Sequence, residues 1–256
     1  MSNSPDYAVE VNNLTKDFKV LHRSHTSLKT AAVAVVRSMI QRNSGTGFEL
    51  RRALDDVSFK LTPGEAVAVF GRNGSGKSTL LSVLSRVYLP TSGQAILRGR
   101  MISLLELGAG FNPELTGEEN VYFNAAVLGL NSVQSEDAYD KIVAFSELPA
   151  SVLNLPVRMY SSGMQLRLGF SIAAHMNPDI LLIDEGIAVG DAGFRQKCYE
   201  RMLEFKAQGK TMVCVTHGVD FIEMLCERAL WLDKGRLVDD GPTAEVGQRY
   251  KDSFNK

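Results

Sequence analysis

The sequence predicts an α/β fold with a mostly parallel β-sheet that is covered by helices on both faces. Predicted strands alternate with predicted helices along most of the 256 residues, and this order is typical of parallel sheets. Residues 66–70 and 180–183 are wholly apolar, as expected for central strands that are buried on both faces. The chain is long enough for one large domain or two small ones.

The elements follow from apolar runs, their periodicity and the turn residues between them. We expect strands at 7–11, on both sides of the turn 62–65, and at 94–97, 101–105, 179–184 and 211–216. A hairpin around residues 233–235 joins two more strands, at 229–232 and 236–238. Helices are expected at 117–146 with a break at Asn131, and at 162–175, 194–208, 219–226 and 243–250. The mainly helical block 117–169 would be a subdomain inserted into this scheme.

Composition and charge argue against several classes of protein. The formal net charge is −1 at pH 7, so no overall positive field points to nucleic acid. Three scattered cysteines have no metal-ligand spacing and fit reduced cytosolic thiols. No apolar run approaches the roughly 20 residues of a membrane-spanning helix. If the protein works at a membrane, we expect another chain to provide the spans.

Residues 71–79 match the pattern G-x-x-x-x-G-K-[ST] and lie between an apolar run and a predicted helix. Strand, glycine-rich loop and helix in this order indicate the phosphate loop of a P-loop NTPase core. Glycines let successive N–H groups point at an anion, Lys77 provides a full positive charge, and Ser78 provides a hydroxyl for Mg²⁺. The candidate nucleotide-binding residues are Gly71, Arg72, Asn73, Gly74, Ser75, Gly76, Lys77, Ser78 and Thr79.

Polar residues at the ends of two other strands complete a candidate hydrolytic site. Asp184 follows the apolar run 180–183 and suits a carboxylate that binds Mg²⁺ directly or through water. Glu185 comes next and would act as general base on the attacking water. His217 ends the strand 211–216, at the edge where open α/β sheets bind ligands. Because single residues of these types are often structural, the interpretation depends on their combination with the phosphate loop.

Residues 160–165, Tyr-Ser-Ser-Gly-Met-Gln, open the predicted helix 162–175 upstream of Asp184. Small hydroxyl residues and glycine at a helix start can bind an anion, and locally they can equally be a plain helix cap. The order of all these motifs resembles that of the ATP-binding-cassette (ABC) ATPases, over essentially the whole chain. Residues 71–79 resemble their Walker A loop, residues 180–185 their Walker B strand, and residues 160–165 their signature.

The resemblance implies a function for each motif. The cofactors would be ATP and Mg²⁺, with Ser78 and Asp184 on the metal. Glu185 and His217 would be catalytic, and Asp191 would be the D-loop aspartate. Phe18 would stack on adenine, although it could also be a simple core residue. Two copies would face each other, so that Ser161, Ser162, Gly163 and Met164 of one copy act on the ATP of the other. The expected architecture is a P-loop NTPase core with an ABC-type helical subdomain and an antiparallel β portion.

Departures from the usual motifs indicate a branch of the family. The signature reads Tyr-Ser-Ser-Gly-Met instead of Leu-Ser-Gly-Gly-Gln, and Gly186-Ile187 replaces the usual Pro-Thr. Glu106 stands near the position of an expected glutamine, where it would be either a metal-side ligand or an open-loop residue. Together these features resemble the exporters of lipid-linked polysaccharides such as O-antigen, capsule and teichoic acid.

A predicted insertion at residues 19–50 supports this branch. No acidic residue lies between Asp17 and Glu49, and apolar residues recur at helical spacing. The basic residues of the insertion include Lys19, Arg23, Lys29, Arg37 and Arg42. A basic amphipathic helix can lie on anionic lipid, or it can simply pack on the sheet. The resemblance to the polysaccharide exporters implies that a helix in this region would be a gate for the lipid-linked substrate.

We therefore expect residues 1–256 to be an ABC nucleotide-binding domain that ends in a helix and tail at 243–256. The expected partners are a second copy of the chain, a separate membrane-spanning permease and a lipid-linked polysaccharide as transported substrate, with no nucleic acid. The protein would lie on the cytoplasmic face of the membrane, held by the permease, which would dock near residues 107–123. Three alternatives are a soluble cassette ATPase not tied to transport, an ABC ATPase for another lipid or glycan, and a P-loop kinase.

Overall fold

The computed structural model describes residues 7–21, 48–104, 110–184, 191–215 and 220–254. Two β-sheets form within these ranges, one of six strands and one of three. Helices cover both faces of the larger sheet, as the α/β pattern predicts. The predicted fold class is confirmed, with a helical subdomain and an antiparallel β portion beside the main sheet.

The six-stranded sheet has the strand order β5-β6-β7-β3-β8-β9. Its strands are β3 (Ala66–Phe70), β5 (Met101–Ser103), β6 (Ile180–Ile183), β7 (Thr211–Val215), β8 (Arg228–Asp233) and β9 (Arg236–Pro242). All neighbours pair in parallel except β8 and β9, which form the predicted hairpin. Because β6 and β3 both flank β7, the carboxyl end of β6 emerges close to the loop that follows β3.

The antiparallel sheet pairs β1 (Val9–Leu21) with both β2 (Phe48–Leu61) and β4 (Ser92–Leu97). The expected strand 7–11 is much too short, because β1 continues to Leu21. Register shifts between Val11 and Asp17 break the period-two alternation that reveals a strand in a sequence. Leu21 pairs with Phe48, so both ends of the predicted insertion 19–50 are strand, and its interior, 22–47, lies outside the described residues.

The helices agree closely with expectation. They are α1 (Lys77–Leu84), α2 (Gly117–Val127), α3 (Ser132–Ser146), α4 (Ala150–Leu153), α5 (Ser162–Ala174), α6 (Ala192–Ala207), α7 (Asp220–Leu225) and α8 (Thr243–Asp252). The break predicted at Asn131 is the cap of α3, whose side chain accepts a hydrogen bond from the Gln134 N–H. Across the described parts of the chain, we find no helix with the length and apolar character that a membrane span requires.

Two hydrophobic cores lie on opposite faces of the central sheet. Along β3, Ala66, Ala68 and Phe70 belong to one core, and Val67 and Val69 belong to the other. The first core continues into helices α2, α3 and α5, and the second lies against α1 and the antiparallel sheet. Burial on both faces explains why β3 and β6 are continuous apolar runs and why β7 is apolar after Thr211. The sheet is therefore a rigid support for the loops at its carboxyl edge.

Candidate functional site

The loop between β3 and α1 is closely packed around its glycines. A Cβ atom on Gly71 would lie 2.3 Å from the Ser75 hydroxyl oxygen and 2.4 Å from the carbonyl oxygen of Leu232. Gly76 has φ of 111°, and a Cβ there would lie 2.6 Å from the carbonyl oxygen of Ala53. Larger residues would push the loop off its support. The predicted phosphate loop therefore has a defined shape set by close backbone contacts.

Lys77 begins helix α1 and is only 6% exposed. Its ammonium group donates hydrogen bonds to the carbonyl oxygens of Gly71 at 2.7 Å and Arg72 at 3.3 Å. The start of α1 contributes the positive end of a helix dipole at the same place. Buried positive charge, helix dipole and loop N–H groups together suit the terminal phosphates of a nucleotide.

A cavity of about 600 Å³ extends from the phosphate loop across the antiparallel sheet. Its lining includes the predicted site residues Phe18, Asn73, Gly74, Gly76, Lys77, Ser78, Thr79 and Asp184. The fold thus brings the loop, the end of β6 and the candidate adenine-stacking ring into one pocket. Arg72 does not line it; the Arg72 side chain turns outward toward the end of helix α8.

The end of this cavity beside Phe18 holds residues that the sequence analysis did not select. Val20, Arg51, Arg52 and Ala53 also line it, and Arg51 is the cross-strand partner of Phe18. The half-buried Phe18 ring makes an edge contact with Tyr88 at 5.2 Å between centroids. Two adjacent arginines at positions 51 and 52 are visible in the sequence and could have indicated an anion-binding surface. Only the pairing of β1 with β2 shows that Arg51 lies opposite Phe18.

Two of the three predicted metal ligands lie within the described residues. Ser78 and Asp184 line the same cavity, and hydroxyl and carboxylate oxygens are the donors that Mg²⁺ prefers. These two residues therefore fit a magnesium ion that is completed by phosphate oxygens and water. The third predicted ligand, Glu106, lies outside the described residues, as do the candidate catalytic residues Glu185 and His217.

The signature segment opens helix α5, as predicted. Ser161 is its cap and accepts a hydrogen bond from the Met164 N–H at 3.3 Å. Ser161 and Ser162 are exposed, and Gly163 and Met164 are half-buried. None of these four residues is in the lining of the phosphate-loop cavity. Ser161 is thus a helix cap, as its sequence allowed. The other N–H groups of the first turn have no partner within the helix.

Arg167 connects the signature helix to the segment before α6, and the sequence analysis missed it. Its guanidinium pairs with Asp191 at 2.5 Å and with Glu147 at 2.9 Å. Asp191 also caps α6 by accepting a hydrogen bond from the Phe194 N–H. This hydrogen bond, aided by Arg167, lowers the pKa of Asp191. The predicted D-loop residue is therefore tied to the signature helix, which its sequence separation did not indicate.

Comparisons with known proteins agree with this arrangement. The sequence model of the ABC transporter family matches residues 54–188, which contain the phosphate loop, the signature and β6. This chain belongs to the ABC transporter family. As an ABC ATPase it is a nucleotide hydrolase, and the kinase alternative is wrong.

Named relatives of this ABC ATPase extend the match beyond that region. The O-antigen export system ATP-binding protein RfbB of Klebsiella pneumoniae is 40% identical over 246 residues, which are 96% of this chain and 98% of the relative. The teichoic acids export ATP-binding protein TagH of Listeria monocytogenes is 43% identical over 204 residues, which are 80% of this chain and 60% of the relative.

Among solved structures, a dimeric ATP-binding cassette in a post-hydrolysis state with bound ADP and Pi has a similar fold. The TM-score is 0.70 at 22% sequence identity, covering 92% of this chain and 98% of the other. At this level of identity the likeness concerns the cassette fold alone. It confirms the predicted cassette fold of this chain.

Proposed function

We propose that this ABC ATPase is the ATP-binding and ATP-hydrolysing subunit of an exporter that moves a lipid-linked polysaccharide across the cytoplasmic membrane. The observation that carries the proposal is the 40% identity with an O-antigen export ATP-binding protein over 96% of this chain. A teichoic acids export ATP-binding protein is also similar, so we propose polysaccharides as the substrate class rather than one particular sugar. The departures in the signature support the same branch.

The pocket suggests how the chain's residues would act on ATP. Phe18 would stack on the adenine ring, while the loop N–H groups and Lys77 would bind the phosphates. Ser78 and Asp184 would hold Mg²⁺, which neutralises charge that develops on the transferred phosphoryl group. Glu185 would accept the proton of the attacking water, and His217 would orient that water near the terminal phosphate. Glu106 remains a proposed ligand on the metal side.

A second copy of the chain would complete each site. The exposed start of helix α5, with its free first-turn N–H groups and positive dipole end, suits the phosphates of an ATP bound to another copy. Ser161, Ser162, Gly163 and Met164 would make this contact. Asp191 is placed beside the signature helix through Arg167, so it would enter the same dimer interface. ATP would close the dimer, and hydrolysis would release it.

The permease would bind at the edge of the helical subdomain. A groove of about 480 Å³ lies there, lined among others by Val87, Phe111, Asn124, Val127 and Leu128. Val127 is 68% exposed and Val87 is 52% exposed, so the groove offers an apolar surface to a partner. The predicted docking segment 107–123 only partly coincides with it, and residues 107–109 lie outside the described part of the chain. Docking here would hold the ATPase at the cytoplasmic face of the membrane.

The basic amphipathic segment within residues 19–50 would be the gate for the lipid-linked substrate, although its interior, 22–47, lies outside the described residues. The antiparallel strands β1 and β2 lead directly into that segment from the adenine end of the site. Removal of residues 24–42 should leave ATP binding by the isolated chain intact and abolish export. Unchanged export would remove the gate from the proposal.

One variant tests the function most simply in cells and in solution. Glu185→Gln should bind ATP but hydrolyse it about 100-fold more slowly, because the general base is lost. In cells that depend on this chain, the variant should leave the lipid-linked polymer on the cytoplasmic side, as measured by surface labelling of the polysaccharide. Normal surface polymer together with normal hydrolysis would refute the assigned base and the coupling to export.

A further inference from the structure

Helix α8 crosses the sheet beside β8 and ends at the phosphate loop. At its start, the Thr243 hydroxyl donates to the carbonyl oxygen of Cys226 at 2.6 Å, and the Thr243 N–H donates to that of Glu227 at 2.9 Å. These contacts fix α8 at the end of the sheet opposite the nucleotide. Ten helical residues span about 15 Å, so the far end of α8 reaches the carboxyl edge where ATP binds.

An aromatic cluster joins the end of α8 to the strand that precedes the phosphate loop. Tyr250 stacks on Phe70 with 5.7 Å between centroids and 5° between the ring planes. Trp231, the β8 partner of Phe70, meets Tyr250 edge-on at 5.7 Å, and Phe254 does so at 5.0 Å. Phe70 is fully buried and is the residue immediately before Gly71. The base of the loop is thus packed directly against α8.

Arg72 makes a second contact with the same helix end, from the loop itself. Its guanidinium donates to the carbonyl oxygen of Ser253 at 3.0 Å and lies 4.6 Å from the centroid of the Phe254 ring. The carbonyl groups at a helix end lack partners within the helix and carry partial negative charge. A guanidinium can satisfy such a carbonyl while its face stacks on an aromatic ring.

We propose that Arg72 is a positioning residue through which helix α8 holds the phosphate loop in its ATP-binding shape. The contact of Arg72 with Ser253 and Phe254 is here called the α8 clamp. Lys77 holds the Gly71 and Arg72 carbonyls from inside the loop, and the clamp holds the Arg72 side chain from outside. A loop that is ordered before ATP arrives loses less conformational entropy on binding, so the clamp raises ATP affinity.

If the α8 clamp holds the phosphate loop in shape, its loss should weaken ATP binding and change the rate of hydrolysis little. Phe254→Ala removes the ring without changing charge, and Phe254 is 55% exposed, so the fold should persist. We expect this variant and Arg72→Ala each to raise the Kd and KM for ATP about fivefold, with kcat changed less than about twofold. Arg72→Lys keeps a cation and a donor but loses the planar face that stacks on the ring, so it should restore only part of the affinity. Lys251→Ala, which removes an exposed charge from the same helix end, is the matched control.

The double variant Arg72→Ala/Phe254→Ala decides between the clamp and a direct effect of Arg72 on the phosphates. If both residues act through one contact, the double variant should bind ATP no more weakly than the weaker single variant. Additive losses, or a loss for Arg72→Ala with none for Phe254→Ala, would overturn the clamp. Fluorescent ATP titration of the purified full chain, with thermal unfolding as the fold check, provides the measurement.

This inference rests on the proposed ATP site and is independent of the transported substrate. If the unmodified chain fails to bind ATP, the proposed function falls and the clamp falls with it. If the unmodified chain binds ATP and Phe254→Ala binds it equally well, only the clamp is wrong.

Discussion

The two halves of the proposed ATP site differ in how completely a single chain builds them. The phosphate loop is enclosed by backbone contacts at Gly71 and Gly76, holds the buried Lys77, and lines a cavity with Asp184. The signature tip at Ser161 and Ser162 is exposed and has only its own helix cap. The phosphate loop therefore forms a pocket that suits a nucleotide within one chain. The signature tip is an exposed surface that would contact a nucleotide bound to another copy.

Because the two halves differ in this way, we expect substitutions to affect ATP binding and ATP hydrolysis separately. On the proposed site, a single chain would bind ATP by itself, whereas hydrolysis would require the signature tip of another copy. Substitutions in the phosphate loop should therefore act on binding by the monomer. Substitutions at the signature tip should leave that binding intact and act on dimer formation and turnover.

The largest effect is expected from Lys77→Met, which keeps most of the side-chain length and removes the charge. The variant loses charge-assisted hydrogen bonds to phosphate, so ATP affinity should fall about 100-fold. Isothermal titration of the monomeric chain measures the affinity, and circular dichroism checks that the fold persists. Undiminished affinity would show that the nucleotide does not bind at residues 71–79.

A smaller and different effect is expected from Gly163→Ala at the signature tip. A Cβ at Gly163 would lie 4.0 Å from the Ser161 hydroxyl oxygen, which leaves room for it, and alanine favours helix. The methyl group would instead obstruct a phosphate approaching from another copy, so kcat should fall roughly tenfold or more. Monomer affinity for ATP should not change. Loss of monomer affinity would contradict the separation of the two halves.

The smallest effect is expected from Arg167→Met, which removes the ion pairs of Arg167 with Asp191 and Glu147. Arg167 is partly exposed and its partners more so, so the loss of stability should be small. Turnover should fall several-fold because Asp191 is no longer held beside the signature helix. Lys197→Met is the matched control: Lys197 also pairs with Glu147, at 2.8 Å. Equal turnover in the two variants would show that the Asp191 pairing does not matter.

The sequence predicted the positions of most loops, strands and helices well. It predicted poorly which strands and side chains contact each other when they are distant in sequence. Patterns among residues that are close in sequence were enough for the phosphate loop at 71–79 and for strands β3, β6 and β7. The structure has these elements where the sequence predicts them. The length of β1 was missed because its bulges hide the alternation. Arg51 and Arg167 were missed because their roles depend on partners that are distant in sequence, Phe18 in one case and Asp191 in the other.

Cross-linking can test whether the phosphate loop of one copy meets the signature tip of another copy when ATP is bound. The native cysteines Cys198, Cys214 and Cys226 are buried, so new exposed cysteines should react selectively. Asn73→Cys in one preparation and Ser162→Cys in another, both with Glu185→Gln to slow hydrolysis, are mixed and oxidised. We predict a disulfide-linked dimer that appears only in the mixture and only with ATP. A mixture that stays uncrosslinked at saturating ATP, or that crosslinks equally without it, would contradict the account.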